Sequence, residues 1–366
     1  MQESWENKTQ KQEGISIKKA LTIAGSDSGG GAGIQADIKT FAALGVYGSS
    51  VIASLTAQNT LGVQGVSRIS ADFVGMQLDS VLSDIGADAV KTGMLYDAEI
   101  IEVVAERLQS YKIPYLVVDP VMVASSGARL LNQDAVGVMR DKLLPITNFV
   151  TPNVEEASAL SGISINSEDD VYRASREIKK MGPEFVVITG VQRDEQCIDF
   201  CFDGNEFREL SGQMVETNNT HGTGCSFSAA LAAILAQGVS NWQAVSMAKN
   251  FVANGLRYSY RVGAGHSPIN HFASFFPGNL DDLDIQENRS HIFQDWGTRP
   301  DLGPFPLLNV IIGGPLCKGK DYAQLTQSVI EGGARLIQLR EKEGDTMQLV
   351  ETARKMQQVC RKYGAL

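Results

Sequence analysis

The run Asn218-Asn219-Thr220-His221-Gly222-Thr223-Gly224-Cys225 is built to meet an anion. It is a polar, glycine-containing turn that leads into an alanine-rich segment. The larger apolar residues there are Phe227, Leu231, Ile234 and Leu235, spaced i, i+4, i+7, i+8. That spacing predicts a helix with one buried stripe, stopped at Gly238. The turn therefore lies at a helix N-terminus, where free backbone N–H groups and the positive end of the dipole converge. Gly222 and Gly224 let those amides approach a ligand with no Cβ in the way. Cys225 falls in the first turn, where the same field favours a thiolate. The plainer alternative is a loop-to-helix junction with a buried cysteine, since glycine-rich turns before helices are common.

A second set of candidates comes from strand ends. Apolar strands are predicted at Ala20–Ala24, Val46–Asn59, Ala89–Met94, Tyr115–Val121, Asn148–Asn153 and Phe185–Gly190. Helices are predicted between several of them, at 34–44, 72–83, 97–111 and 154–160. Near-continuous apolar strands alternating with helices mean a mostly parallel sheet covered on both faces. Ligands of such sheets bind beyond the carboxyl ends of the strands. Gln58, Met94, Asp119, Asn153 and Thr189 all lie at such ends. An Asp before Pro is more often a turn residue, but five polar or flexible ends facing one crevice form a site.

The first strand runs into Gly25-Ser26-Asp27-Ser28-Gly29-Gly30-Gly31-Ala32-Gly33. By composition this is a phosphate loop. No Gly-Lys-Ser/Thr follows, so it is not a Walker A motif, and the spacing is not a dinucleotide fingerprint. A tight turn needing backbone freedom is the alternative. Further on, Cys197–Phe202 and Phe207–Leu210 predict a hairpin around Asp203-Gly204, and Trp242–Tyr258 a second C-terminal helix.

The chain has 366 residues, 43% hydrophobic and 20% charged, which suits two or so globular domains. A net charge of −10 argues against a nucleic-acid or membrane-surface binder, so an anionic substrate must be met by local groups. Five cysteines with no CxxC indicate neither a disulfide framework nor a zinc site. With its polar start the chain is expected to carry no standard signal peptide, and no run approaches the roughly 20 apolar residues of a membrane span. The expected compartment is a reducing cytoplasm. Residues 1–18 are expected to be a flexible tail, 19–277 one domain and 278–304 a linker. Residues 305–366 start a new α/β rhythm, with strands at 307–312 and 335–342 and helices at 321–331 and 347–362.

Four runs together carry a resemblance: TIAGSDSGGGAGIQADIKTF from Thr22, TAQNT from Thr56, TPNVEEA from Thr151 and NNTHGTGCSFSAA from Asn218. The sequence resembles the hydroxymethylpyrimidine/phosphomethylpyrimidine kinase family of thiamine biosynthesis, within the ribokinase-like superfamily. The C-terminal segment resembles the first part of a thiamine phosphate synthase, mainly through Gln338-Leu339-Arg340-Glu341-Lys342. The resemblance implies a ribokinase-like α/β fold, followed by an incomplete (β/α) barrel fragment without synthase activity. It implies ATP, Mg²⁺ and a small pyrimidine substrate, and a homodimer. Gly222, Thr223 and Gly224 would form the anion hole and Cys225 would be catalytic, acting as a base on the alcohol. Gln58 would bind the aminopyrimidine, with Gly25, Ala32, Met94 and Val121 around the ring. Asp119 and Glu156 would organise Mg²⁺, and Asn153, Thr189 and Lys249 would flank the nucleotide. Gln338, Arg340 and Lys342 would be the remnant of a diphosphate-binding strand end. The first glycine loop would then line the substrate rather than bind phosphate. Relatives often carry Lys-Gly where this chain has Thr189-Gly190, which leaves a positive charge near the nucleotide unassigned. The alternatives within and outside this class are a pyridoxal kinase and a non-catalytic ligand-binding protein.

Overall fold

The computed structural model describes residues 17–122, 133–273, 309–313, 317, 320–334, 336–340, 346–363 and 365. The expected linker, Lys342 and all but the last two residues of the expected tail lie outside these. Contacts divide the chain into two units, Met1–Leu283 and Asp284–Leu366.

The first unit is built on a nine-stranded sheet. Six strands run parallel: β1 (Lys19–Asp27), β2 (Tyr47–Asn59), β4 (Ala89–Thr92), β5 (Leu116–Val118), β6 (Phe149–Val150) and β7 (Phe185–Arg193). Three more are antiparallel: β3 (Gly62–Arg68) on β2, and the hairpin β8 (Gln196–Phe202) and β9 (Phe207–Gln213) beyond β7. The spatial order is β3-β2-β1-β4-β5-β6-β7-β8-β9. The predicted hairpin at 203–204 is present, whereas β3 was not predicted. Its sequence, Gly-Val-Gln-Gly-Val-Ser-Arg, is glycine-rich and mostly exposed, so it lacks the apolar run that marks the inner strands.

Alternation along the strands builds two cores. Leu21, Ile23, Val90, Val118, Val150, Val186 and Ile188 face one side. There they meet α2 (Ala71–Asp84), α3 (Ala98–Tyr111), α5 (Val154–Ser161) and α6 (Glu168–Lys179). Ala20, Ala89, Val117, Phe149, Phe185 and Val187 face the other. There lie α1 (Gly33–Ala43), α7 (Thr223–Ala236) and α8 (Asn241–Arg257). Caps define several starts: Ser70 before α2, Asp97 before α3, and full capping boxes at Asn153/Glu156 and Ser167/Asp170. Gly238, at φ 82°, follows the end of α7 where the left-handed conformation stops a helix.

Helix α7 departs from the expected single stripe. Every residue from Ser226 to Ala236 is buried. The helix packs between the sheet and its neighbours α1 and α8. Small residues fill its other faces, so no polar side survives.

In the second unit, β10 (Asn309–Ile312) and β11 (Leu336–Leu339) form a two-stranded parallel sheet. Helices Tyr322–Glu331 and Thr346–Tyr363 accompany it. Gln338 and Arg340 are exposed.

Candidate active site

The parallel strands deliver their ends to one edge, and a cavity of about 300 Å³ opens there. Gly25, Ala32, Gln58, Met94 and Val121 line it. So do Asp119, Asn153, Glu156 and Thr189, and the whole turn Gly222, Thr223, Gly224 and Cys225. A second cavity of about 480 Å³ is lined by Met214, Val215, Phe227, Val252, Leu256 and Lys249. The two share Thr189, Thr220, Thr223 and Gly224, so the turn stands at their junction.

The two glycine loops have opposite electrical roles. In the first, the amides of Gly29, Gly31 and Ala32 donate to the Asp27 carboxylate at 2.8, 3.0 and 2.9 Å. Those N–H groups are occupied by the protein's own anion and cannot cradle a phosphate. Burial acts to raise Asp27, but His221 and these amides outweigh it and hold the carboxyl below its usual range. In the second loop Gly222 is the N-cap of α7, at φ 74°. A Cβ on Gly222 would stand 1.9 Å from the Gly31 carbonyl oxygen, and one on Gly31 would stand 2.4 Å from the His221 ring. The loops therefore touch backbone to backbone. His221 ties them: its Nε2 lies 3.0 Å from Asp27 Oδ2 and 3.2 Å from the Gln58 amide nitrogen.

Beneath the turn lies a buried charge cluster. The Lys91 ammonium donates to both oxygens of Asp37 at 3.0 and 2.9 Å, and the Thr22 hydroxyl donates to Asp37 at 2.6 Å. Lys91 Nζ is also 4.0 Å from Asp119 Oδ2. Lys91 and Asp37 are both fully buried. Burial would lower the Lys91 pKa, but Asp37, Cys225 and Asp119 raise it, so the ammonium is retained. Asp119 accepts from the Ser228 hydroxyl at 3.1 Å, and burial pushes it up to about 6 despite Lys91. Glu156 accepts from the amides of Asn153 at 3.0 Å and Met122 at 3.3 Å. Burial and the nearby Asp119 charge push it up to about 8. Two buried carboxylates, both raised by burial and one of them also by its neighbour's charge, suit a cation between or beside them.

The expected activation of Cys225 is not what the fold provides. Part of its surface opens on the cavity, yet protein surrounds the thiol. Burial pushes it up to about 12, with Lys91 opposing and Asp119 and Asp37 adding to the rise. Desolvation and two neighbouring carboxylates outweigh one ammonium, so the thiol is protonated at neutral pH. The Asn153 carboxamide oxygen caps α5 by accepting from the Glu156 amide at 2.9 Å. The Asn-x-x-Glu spacing is a capping box before it is a ligand site. Lys249 reaches the second cavity, but its ammonium is held by Asp199 at 2.9 Å and the Cys197 carbonyl at 3.1 Å. Among the described residues lining the two cavities it is the only Lys or Arg, and its charge is paired with Asp199. Among the described residues of the two cavities, no unpaired Lys or Arg restores the charge left unassigned at Thr189-Gly190.

Asp27, His221, Lys91, Asp37 and Ser228 were not singled out from the sequence as site residues. The available signal was a lysine inside an otherwise apolar strand, Ala89-Val90-Lys91-Thr92, which calls for a buried counter-charge. Nothing local names Asp37 as that partner.

Comparisons agree with this architecture. Residues 27–270 match the family model for phosphomethylpyrimidine kinase, and residues 308–366 match that for thiamine monophosphate synthase. A hydroxymethylpyrimidine/phosphomethylpyrimidine kinase of Bacillus subtilis is 48% identical over 71% of this chain and 96% of its own length. A probable thiamine biosynthetic bifunctional enzyme of Oryza sativa, named as chloroplastic, is 41% identical over 94% of this chain. The chain spans 62% of that relative's length. The solved ADP complex of Bacillus subtilis pyridoxal kinase is 39% identical and superposes with a TM-score of 0.67, covering 71% of this chain and 99% of its own. Among the described residues no helix is long and apolar enough to cross a membrane. With its glycine turn, paired carboxylates and parallel sheet all inside the matched span, the chain belongs to the phosphomethylpyrimidine kinase family.

Proposed function

We propose that residues 19–277 transfer phosphoryl groups from ATP to 4-amino-5-hydroxymethyl-2-methylpyrimidine in thiamine biosynthesis. The first transfer is to the alcohol and the second to the resulting monophosphate. The observation that carries this reading is the pair of cavities meeting at Thr189, Thr220, Thr223 and Gly224. A pyrimidine in the smaller cavity and a nucleotide in the larger would face each other across the amides of the turn.

Each group has a role in this reading. Gln58 offers a carboxamide, whose donor and acceptor match an aminopyrimidine edge. Gly25, Ala32, Met94 and Val121 surround the ring. Thr189, Asn153 and Lys249 flank the nucleotide. The amides of Gly224 and Cys225, which precede the first internally bonded donor of α7, the Ser226 amide, meet the phosphoryl oxygens as charge builds on them. Asp119 and Glu156 would hold Mg²⁺, largely through water. Among the described residues no three His, Cys, Asp or Glu side chains converge as a cage. One or two carboxylates plus substrate phosphates are the usual magnesium set, and both carboxylates are already partly occupied by protein donors. When bound, magnesium neutralises phosphate charge during transfer. With Lys249 committed to Asp199, that task falls to the cation and the amides.

The test is a coupled assay that follows ADP and both phosphorylated products, with magnesium present and then chelated. No ADP release with the pyrimidine alcohol would sink the reading. Replacing Gln58 by Leu is expected to lower kcat/KM for the pyrimidine roughly 100-fold, because an unmet buried amide edge is costly. KM for ATP should stay within about threefold. A matched rise in both KM values would remove Gln58 from the acceptor site. For Cys225→Ala, a protonated thiol implies similar losses of about tenfold or less in both transfers, below the 10²–10⁴ of a true general base. A loss confined to the alcohol step and near 10³ would restore the base role.

A second reading, pyridoxal kinase, is favoured by the 39% identity to the solved pyridoxal kinase. The 48% identity to the pyrimidine kinase supports the pyrimidine ahead of pyridoxal in this proposal. Turnover of the two alcohols side by side separates them. The homodimer implied by the resemblance belongs to the same proposal, and sedimentation of the purified chain tests it. Residues 308–366 supply two strands and two helices among the described residues. A closed (β/α)₈ barrel takes about 200 residues or more, so this segment alone is expected to show no synthase turnover.

A further inference from the structure

After α8 the chain doubles back over both glycine loops. The His266 amide donates to the Thr60 carbonyl at 2.9 Å, two residues past Gln58 and just beyond the end of β2. The Ser267 carbonyl accepts from the His221 amide at 3.2 Å. Pro268 lies 3.1 Å from where a Gly31 Cβ would be, and Asn270 is pinned to the Gly255 carbonyl at 2.9 Å. This segment ends at His271, which is 4% exposed. Its Nε2 lies 2.9 Å from Ser226 Oγ, one residue past Cys225.

Proton counting fixes the direction of these bonds. Ser226 Oγ also lies 2.8 Å from the Gly222 carbonyl oxygen, which can only accept. A hydroxyl has one proton. That proton goes to Gly222, so His271 must carry its proton on Nε2 and donate to Ser226. The ring is also neutral, since burial, and secondarily the Lys39 charge, push His271 down to about 4, so its one ring proton sits on Nε2. The chain His271 → Ser226 → Gly222 thus ends on the carbonyl of the residue that caps α7. The Ser226 amide donates to the same oxygen at 2.9 Å. The Gly222 carbonyl and the Thr223 amide belong to one planar peptide unit, so orienting one orients the other. The Thr223 amide donates to the Thr220 carbonyl at 3.3 Å, a loose tether.

We propose that His271 is a positioning residue for phosphoryl transfer, acting through Ser226 to fix the Gly222–Thr223 peptide and hence the direction of the amides in the turn. It touches neither cavity. This inference rests on the kinase reading above. Losing the Nε2 donor leaves the Ser226 hydroxyl a buried, unmet acceptor and frees it to turn away from Gly222. The consequence is in the geometry of transfer, where small misplacements cost rate, rather than in capture of the pyrimidine.

The experiment measures kcat and KM for the pyrimidine alcohol on the full chain, together with thermal midpoints. His271→Phe is expected to lower kcat by roughly 10- to 100-fold with the pyrimidine KM within about threefold. His271→Gln, which keeps a side-chain N–H donor, should restore kcat to within about threefold of the natural protein. Ser226→Ala should match His271→Phe, and the double variant should be no slower than the worse single one, because both cut one chain. If His271→Phe does not accumulate as folded protein, Ser226→Ala and His271→Gln carry the test alone. The proposal is overturned by an unchanged kcat in a folded Phe or Ala variant. It is equally overturned by Gln failing like Phe, by multiplicative losses in the double variant, or by a change confined to KM. An inactive natural chain would instead refute the kinase reading itself.

Discussion

Gly222→Ala is expected to lower kcat for both phosphoryl transfers by at least about 100-fold, the largest catalytic loss of any single methyl added to this protein. Gly222 sits at φ 74°, in the left-handed region. A side chain there costs roughly 1–2 kcal/mol before any contact is counted. The contact is worse: the new Cβ would lie 1.9 Å from the Gly31 carbonyl oxygen. That atom is backbone, and its loop is tied to Asp27 through three amides. The first loop cannot easily retreat, so the turn must move. Moving it displaces the amides that face the junction of the two cavities. Steady-state rates with the alcohol and the monophosphate as acceptors, set beside the thermal midpoint, check this. A folded variant retaining more than about a tenth of the natural rate in either transfer would show that the turn is not the seat of the transferred group.

Lys91→Met is expected to give the largest stability loss, about 3–5 kcal/mol, because it leaves a buried carboxylate without its partner. For a domain of this size that lowers the thermal midpoint by roughly 10 °C. The loss should depend on pH. Burial already raises Asp37, with Lys91 and then Thr22 pulling it back. Without Lys91 only Thr22 opposes burial, and the carboxyl moves further up. A group whose folded pKa lies above its unfolded value costs the fold most above the folded pKa, and nothing below the unfolded one, here near 3.8. The variant's deficit should therefore be greatest at neutral pH and shrink as pH falls toward 4. Denaturant unfolding across that range measures it, with Lys91→Met/Asp37→Leu as the control. Replacing both partners by apolar groups should recover most of the stability. A deficit that is flat with pH, or a double variant as unstable as the single, would show that the pair is not what Lys91 contributes.

The two predictions mark different depths of legibility. The turn 222–225 is readable from residue types alone, because a helix N-terminus and glycines are local features. The strand ends are readable for a similar reason. A parallel sheet must place them on one edge, so Gln58, Met94, Asp119, Asn153 and Thr189 converge whatever the details. The apolar runs for β1, β4, β5 and β7 declare themselves because those strands are covered on both faces. The exposed edge strand β3 does not, since nothing selects an apolar run there.

Other features depend on which distant residues the fold brings together. Composition alone makes the loop at 25–33 the better phosphate site. Its amides are lost to that role because they close on Asp27, and His221, 194 residues away, completes the cap on that carboxylate. Lys91 and Asp37 are 54 residues apart and meet only because α1 packs on β1 and β4 pairs beside β1. The state of Cys225 follows the same logic. Its position in the first turn of α7 favours a thiolate. The packing around it adds burial and two carboxylates, and these push the thiol to about 12. A helix end is set by neighbours in the chain and can be read along it. A pKa is set by charge and solvent within a few ångströms, and those neighbours are chosen only when the sheet and its two layers of helices close.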